Sequence, residues 1–511
     1  MPSELLEALT NLSNIRWVTA IPAAVVIFVL CTLLYRLTLH PLAGFPGPFE
    51  ARLSGSWRNR RYLKGSWHDD ILQVHEKYGA IVRISPDELS IVDEHATKQL
   101  YGHGSKALKT EWYGTWDSKE FPNLFSTRSK AEHSFMRRRV SPAYSMSAML
   151  RYEQYIQPCL DLMMDGFRKH ADQGHPVVMS NWLDWLAFDV VGTLAYGQSF
   201  GQLETESDKL GLGKMIHEGF YVLSNVGHWI GQSRILQSPA FGKVLTMMGV
   251  PNPFDTFNNW TKTIIQERRQ NAGKHERYDM LQHFMEMKST TGGPATDVDV
   301  LGEAVNIIGA GADTTSIAMG TCLYYIVRHP DVYQKVQKEI DEYYEQNSLQ
   351  RAITYQQTQE LPYFTAAARE AMRLIPSITY QLPRVMPEEM VVAGRSIPAG
   401  THVGVSPIAA NRNKSVWGLD ANEFKPSRWL ESEEKTRYLN ANDMTFGGHG
   451  ARMCIGRNLA LVEVHKFLGQ FLRDFDVAFE DPEKPWRLHS QWFAVQSDMR
   501  MKITARRDKT A

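Results

Sequence analysis

Hydrophobic and polar positions follow a helical period along most of the chain. Apolar residues recur every three to four positions over residues 146–169, 181–196, 256–272, 297–328 and 361–374, which predicts five long amphipathic helices. Strand patterns are short. The clearest lies at 390–407, where MVVAG and THVGVSP flank the turn residues RSIPAG and predict a hairpin. The pattern therefore predicts a mostly α fold with a small β part.

One apolar run differs from all of these because it is uninterrupted. Residues 18–35 (VTAIPAAVVIFVLCTLLY) carry no charge and are bordered by Trp17 and Tyr35, which predicts a transmembrane helix over 18–36 after a lumenal segment 1–17. A cleaved signal peptide is the alternative, but Glu4 and Glu7 stand where its basic region is expected. The charges that follow are basic, so the positive-inside rule places the body of the protein in the cytosol. They are Arg36, Arg52, Arg58, Arg60, Arg61 and Lys64.

After this run, residues 37–49 are rich in proline and predict a stiff, extended hinge between the anchor and the body. No repeat or long linker follows, so residues 50–511 are expected to form a single domain. The chain has 56 basic and 56 acidic residues, and this balance gives no overall field that would attract nucleic acid. Four cysteines without a CxxC pair disfavour a disulfide framework and a structural zinc site, and are typical of a reducing compartment.

The cysteine with the most informative surroundings is Cys454, in the segment 445–460 (TFGGHGARMCIGRNLA). A glycine-rich turn precedes it and an apolar helical pattern follows, so its sulfur is expected near a helix N-terminus, where backbone N–H groups lower a thiol's pKa. A lone cysteine is usually a small buried apolar residue. Here the glycines, among them Gly450, leave room for a flat cofactor, and Arg452 is placed to meet an anion on it.

The stretch FGGHGARMCIG resembles the cysteine-loop signature of the cytochrome P450 family, in which the cysteine is the axial ligand of haem iron. The resemblance implies haem b, with Cys454 as its metal ligand and Phe446, Gly450 and Arg452 beside it. One departure stands out. Phe446 lies eight residues before the cysteine, whereas the family normally has seven, and the extra residue is most simply absorbed as a bulge at Gly447-Gly448.

A second motif, Gly309-Ala310-Gly311-Ala312-Asp313-Thr314-Thr315, places poor helix formers inside an apolar helix. It resembles the family's oxygen-binding motif, in which the helix opens locally over the haem and an acid and an alcohol, here Asp313 and Thr314, relay protons. The alternative is a helix-packing groove with a threonine bonded back to the carbonyl four residues earlier.

Two further stretches complete the resemblance. Glu370 and Arg373 share a helix face, and with Arg428 they resemble the family's structural Glu-Arg-Arg triad. His133 and Arg137 share the face of a different helix. The resemblance places both of them, together with Arg384, at the haem propionates. Arg138 and Arg139 are expected to face solvent; the alternative is that they join Arg457 and Lys466 in a basic patch for an acidic flavoprotein. Family position suggests that the substrate cavity is lined by Ala310, Ile378, Thr379, Gln381 and the stretch 492–495.

The anchor followed by HPLAGFPGP most resembles microsomal members from filamentous fungi, many of which act in secondary metabolism. This resemblance implies the P450 fold, a helical domain around haem with short sheets, in a single-pass protein of the endoplasmic reticulum. The implied activity is insertion of one atom of O2 into an apolar small molecule, with electrons from NADPH through cytochrome P450 reductase and cytochrome b5 as a further donor. A haem-thiolate isomerase or dehydratase that needs no O2 is one alternative, and a non-catalytic haem-binding membrane protein is the other.

Overall fold

The structure is a computed structural model, and it describes residues 2–117, 121, 123–226, 228, 238, 240, 243, 244, 247, 253–271, 277–289, 292–484 and 486–506. The helices of its N-terminal half are α1 Pro2–Thr38, α2 Phe49–Leu53, α3 Ser56–Lys64, α4 Trp67–Tyr78, α5 Glu94–Tyr101, α6 Lys130–Val140, α7 Met146–Asp172, α8 Met179–Ala195, α9 Gln202–Thr205 and α10 Leu212–Val226. Those that follow are α11 Pro253–Gln270, α12 Met280–Glu286, α13 Asp297–Arg328, α14 Pro330–Gln346, α15 Tyr355–Thr358, α16 Pro362–Leu374, α17 Pro407–Ala410, α18 Lys414–Trp417, α19 Glu433–Asn442 and α20 Arg457–Asp474. Short 3-10 helices occupy Glu111–Trp116, Ser141–Tyr144 and Pro426–Trp429.

The strands are short and form small sheets. They are β1 Ile81–Ser85, β2 Glu88–Ile91, β3 Leu108–Lys109, β4 Val177–Val178, β5 Arg384–Val385, β6 Met390–Val392, β7 Arg395–Ile397, β8 His402–Gly404, β9 Phe475–Phe479, β10 Arg487–Ser490, β11 Ala494–Ser497 and β12 Arg500–Ala505. The largest sheet has the order β1-β2-β8-β5-β3, with β2 and β8 parallel. A second sheet has the order β4-β12-β9, and β6-β7 and β10-β11 are hairpins. The predicted mostly α fold with a small β part is confirmed.

The long helix α13 lies at the centre of the helical part and packs against α8, α16, α20 and α11. It begins with a reciprocal cap, in which the Thr296 side chain accepts from the Asp299 N–H and the Asp299 carboxylate accepts from the Thr296 N–H. It ends before Pro330, whose fixed φ starts α14. The predicted helix over 297–328 has the observed bounds, and the other four predicted helices are found with ends shifted by one to three residues.

The predicted hairpin over 390–407 was wrong in its pairing. Ala393 and Gly394 both have positive φ, 47° and 75°, so the chain turns there and Met390–Val392 pairs with Arg395–Ile397. The downstream strand β8 pairs instead with β2 and β5. A two-residue turn closed the hairpin earlier than the alternation of apolar residues suggested.

The N-terminal helix α1 contains Ala20–Thr38, a candidate membrane span with mean hydropathy 2.2 and with 0% of its most apolar window buried against the rest of the chain. The proline-rich segment after it is not the predicted extended hinge. It folds into turns, its Leu42 and Phe45 are buried, and the Arg83 N–H donates to the Pro46 carbonyl at 2.7 Å. Burial of these apolar side chains against the β1-β2 sheet outweighs the preference of proline for extended chain.

Candidate active site

The cysteine loop is a tight turn leading into α20. Gly447 and Gly448 have φ values of 78° and 87°, left-handed conformations that favour glycine, so the predicted bulge lies at these two residues. The Cys454 N–H then donates to the Phe446 carbonyl at 3.0 Å, which closes the loop. At Gly450 a Cβ would lie 2.1 Å from the Tyr101 carbonyl oxygen, so any larger residue would displace the backbone. Gly450 is therefore required by the close approach of the end of α5, and Gly447 and Gly448 by their backbone conformation.

The Cys454 thiol lies just before the first turn of α20, as predicted, but its electrostatic surroundings are mixed. Burial raises the pKa of the thiol, while the N–H groups of Gly456 and Arg457 and the Arg137 guanidinium act in the opposite direction. The expected lowering of the pKa by the helix N-terminus is thus outweighed by burial in the protein alone. A bound metal ion would reverse this balance, because a coordinating thiol is deprotonated.

Cys454 lies deep in the protein, and its accessible surface faces a cavity of about 1240 Å³ that it lines. Ala310, Asp313 and Thr314 of α13 also line the cavity. A further wall is aromatic: the ring centroids of Trp116 and Trp492 lie 4.6 Å apart. Phe125, Phe220 and Phe493 continue this wall. A cavity with one thiol and a largely apolar lining suits a cofactor and an apolar molecule together.

Basic side chains gather at one side of the cavity. They are Lys109, His133, Arg384 and Arg452. Burial and the neighbouring cations lower the pKa of Lys109 to about 6 and that of His133 to about 3. Both terminal nitrogens of Arg452 are buried without a hydrogen-bond partner among the residues that the structure describes. Buried cations of this kind are stable only beside an anion.

Two of these basic side chains, Lys109 and Arg384, have hydrogen-bond partners in the protein, and those partners are neutral oxygens. Lys109 donates to the carbonyls of Leu124 and Phe125, and Arg384 donates to the Tyr113 hydroxyl. A haem fits the set: its iron would be held by the Cys454 sulfur, and its two carboxylates would partner the unpaired Arg452 nitrogens and the neighbouring cations. The unpartnered guanidinium and the loop that admits only glycine at position 450 support this fit.

Of the residues predicted to hold the propionates, His133, Arg384 and Arg452 lie in this basic cluster. Arg137 lines the same cavity, but its Nη1 donates to the Met453 carbonyl at 2.7 Å and so braces the cysteine loop. Lys109 and Tyr113 were missed by sequence reasoning. Lys109 belongs to a two-residue strand, and no local motif distinguishes it from a surface lysine.

The helix segment carrying Asp313 and Thr314 differs from its prediction in one respect. It is regular α-helix rather than locally opened, and Thr314 Oγ1 donates to the Ala310 carbonyl at 2.7 Å, the bond expected of the packing alternative. The glycines also serve packing, since a Cβ on Gly309 would lie 3.2 Å from the Phe220 ring. Asp313 is buried and faces α10, where its Oδ1 lies 2.9 Å from His217 Nε2.

Glu370, Arg373 and Arg428 are brought together as predicted. The Glu370 carboxylate accepts from Arg373 Nε at 2.8 Å, from Arg428 Nε at 2.7 Å and from the Trp429 indole at 2.9 Å. The remaining donors of the two guanidiniums bond to backbone carbonyls and to Asp420. The triad ties α16 to the 3-10 helix Pro426–Trp429.

Several neighbouring predictions were wrong. Arg139 does not face solvent: its side chain is buried and ion-pairs with Asp299 and Glu303. Lys466 is no part of a surface patch, since it is buried beside Glu153. Ala310, Ile378, Trp492 and Phe493 line the cavity as predicted. Of the remaining predicted lining residues, Gln381 is directed away to Glu88, Thr379 bonds to the Gln491 carbonyl, and residues 494 and 495 belong to β11.

Comparison with known proteins agrees with this geometry. The cytochrome P450 family model matches residues 45–503. A cytochrome P450 monooxygenase of Penicillium aethiopicum, gsfF, is 32% identical over 93% of this chain and 95% of its own. A pisatin demethylase of Fusarium vanettenii is 30% identical over 95% and 93%, and the monooxygenase cicH of Emericella nidulans is 30% identical over 95% and 98%. The family match, the two relatives named as monooxygenases and the cysteine cavity lead to one conclusion: the chain belongs to the cytochrome P450 family.

Proposed function

We propose that this protein is a membrane-anchored monooxygenase of the endoplasmic reticulum that inserts one atom of O2 into an apolar small organic molecule, an intermediate of fungal secondary metabolism. The observation that carries the proposal is one cavity lined both by the Cys454 thiol and by the Asp313-Thr314 pair. Electrons are proposed to come from NADPH through cytochrome P450 reductase, with cytochrome b5 as a further donor.

Haem iron bound at Cys454 supplies the activation of O2. The protein's own groups do the rest. Arg137 and the N–H groups of Gly456 and Arg457 hold the Cys454 loop and its sulfur. The aromatic wall of the cavity excludes water and favours an apolar substrate. The Thr314 hydroxyl holds an exchangeable proton at the cavity, and the neighbouring Asp313 carboxylate can accept a proton and pass it on, as oxygen reduction requires.

The exposed surface around the cysteine loop carries basic side chains and suits binding of an acidic redox partner. Arg138 and Arg457 are exposed, whereas Arg139 and Lys466 belong to the interior. Complementary charge accelerates encounter with a partner more than it adds affinity. The proposed donor therefore meets the protein near Arg138 and Arg457.

Two measurements test the haem site and the activity. The full chain in microsomes with reductase should give the red-shifted absorption of a thiolate-ligated haem with carbon monoxide, and Cys454→Ser should abolish it. Candidate substrates supplied with NADPH and O2 should gain one oxygen atom, read by mass spectrometry. Conversion that proceeds without NADPH and O2 would replace the monooxygenase with an isomerase or a dehydratase.

Thr314→Ala tests the proton relay. A positioned proton-transfer group typically speeds its step by about 100-fold or more, so loss of the hydroxyl should divert most reducing equivalents to peroxide and sharply lower the product formed per NADPH. Thr321→Ala is the matched control, because Thr321 is a buried threonine on the same helix that is not among the cavity residues. Equal coupling in the two variants would contradict the relay.

A further inference from the structure

An ion pair joins the helix that covers the cavity to the buried acid of α13. His217 on α10 lies 2.9 Å, Nε2 to Oδ1, from Asp313. The His217 side chain is 32% exposed and that of Asp313 is 2% exposed, so the imidazole connects a buried carboxylate with the surface. Met215 and Phe220 of the same helix line the cavity. The contact therefore exists only while α10 is seated over the cavity.

The surroundings of His217 are strongly acidic. Asp184 on α8 and Asp208, which caps the start of α10, face the imidazole together with Asp313. Burial lowers the pKa of His217, but the charge and hydrogen bond of Asp313 and the charges of the other two carboxylates raise it to about 9. Burial raises the pKa of Asp184 to about 7, against the opposing effects of His217 and of a hydrogen bond from Ser316. Near neutral pH the imidazole is thus a cation that faces acidic side chains.

The second carboxylate oxygen shows how much Asp313 depends on this cation. Asp313 Oδ2 is buried without a hydrogen-bond partner among the described residues. A buried carboxylate with one oxygen unpaired is stable only beside a positive charge, and removal of that charge is strongly unfavourable. His217 is the basic group that contacts Asp313 in the described part of the chain.

We propose that His217 is a positioning residue for Asp313: as an imidazolium it fixes the charge and orientation of the carboxylate and couples them to the seating of α10. This rests on the proposed function, in which the Asp313 carboxylate passes protons on for oxygen reduction. Opening of α10 for substrate entry separates the pair, so that the acid of the relay is in place only when the cavity is covered.

The first experiment is a double-mutant cycle on the thermal unfolding of the full chain, with His217→Gln, Asp313→Asn and both changes. At pH 6.5 the His217→Gln change should lower the midpoint by several degrees, and in the Asp313→Asn background it should have little further effect. The folded-state pKa is raised, so the stabilisation is complete below about pH 6.5 and is lost as the pH rises through 9. At pH 10 the wild type and His217→Gln should converge.

Lys214→Gln is the matched control, since Lys214 is an exposed cation on α10 one turn away, near Glu218. It should leave the midpoint and its pH dependence unchanged. Additive effects of His217→Gln and Asp313→Asn at pH 6.5 would overturn the proposal.

The second experiment measures the fraction of NADPH equivalents released as peroxide between pH 7 and pH 10. In the wild type this fraction should rise as the pH passes 9, and in His217→Gln it should be several-fold higher and flat. His217→Lys, which retains a cation, should restore low peroxide release at neutral pH. The same peroxide profile in wild type and His217→Gln would overturn the proposal. A non-additive unfolding cycle without any NADPH oxidation would instead overturn the monooxygenase function and leave the ion pair established.

Discussion

At the scale of single residues, the site is governed by charge that the protein leaves uncompensated. Lys109, His133, Arg384 and Arg452 gather at one wall of the cavity, and within the described part of the chain the terminal nitrogens of Arg452 have no hydrogen-bond partner. Three of the four were predicted from sequence because they stand in motifs with a family order. Lys109 could not be, since its position beside Arg384 arises from the pairing of β3 with β5.

Lys109→Met should weaken haem retention. The change keeps the length of the side chain and removes one cation of the anion-binding cluster, so the haem content per protein should fall several-fold after gel filtration, and the haem should be lost at lower urea. Lys106→Met is the control: Lys106 lies three residues away, exposed and paired with Glu388 on the surface. Equal haem content in both variants would place the propionates away from Lys109.

At the scale of elements, α16 carries a charged pair whose spacing is typical of an exposed helix face but whose side chains are buried by another element. Glu370 and Arg373 have the spacing of an ordinary exposed helix pair, yet both side chains are fully buried. Only the approach of the 3-10 helix Pro426–Trp429 supplies Arg428 and the Trp429 indole, which complete the hydrogen bonds of the carboxylate. The resemblance to the family predicted the three members of the triad. Whether all their hydrogen bonds are made depends on how the two elements pack.

Glu370→Gln should destabilise the protein by about 3 to 5 kcal/mol, because two buried guanidiniums lose their shared anion. The measurement is the unfolding midpoint, together with the yield of folded protein. Asp165→Asn is the matched control, since Asp165 and Arg168 form an i,i+3 pair that is exposed on α7, and its loss should cost less than about 1 kcal/mol. Similar costs for the two variants would mean that the triad is no more than a helix surface pair.

At the scale of the whole molecule, the connection between α1 and the body is decided by packing of apolar side chains. Proline content predicts an extended spacer over 37–49, but Leu42 and Phe45 are buried and the guanidinium of Arg83 donates to the carbonyls of Arg36 and Leu42. The end of α1 is thereby fixed to the β1-β2 sheet. Under the proposed membrane anchoring, this contact restricts the orientation of the cavity relative to the membrane.

Leu42→Ala and Phe45→Ala should each lower the free energy of unfolding by about 2 to 5 kcal/mol, the usual cost of truncating a buried side chain. The controls are Leu39→Ala and Phe49→Ala, on either side of this pair, at residues that are 76% and 64% exposed. Each should change the free energy of unfolding by less than about 0.5 kcal/mol. Denaturant unfolding of the four variants decides the matter. A free hinge would give four small, similar effects.

The sequence by itself determined the features that depend on local pattern. These are the helices that expose one apolar face, the apolar run of α1, and the motif order around Asp313, Glu370 and Cys454, because periodicity, hydropathy and fixed spacing are properties of neighbouring residues. Only the tertiary structure decided which distant side chains meet. It buries Arg139 and Lys466, directs Thr379 and Gln381 away from the cavity, and brings His217 to Asp313, because contacts between elements far apart in the chain follow from how their surfaces pack and leave no periodic signal in either segment.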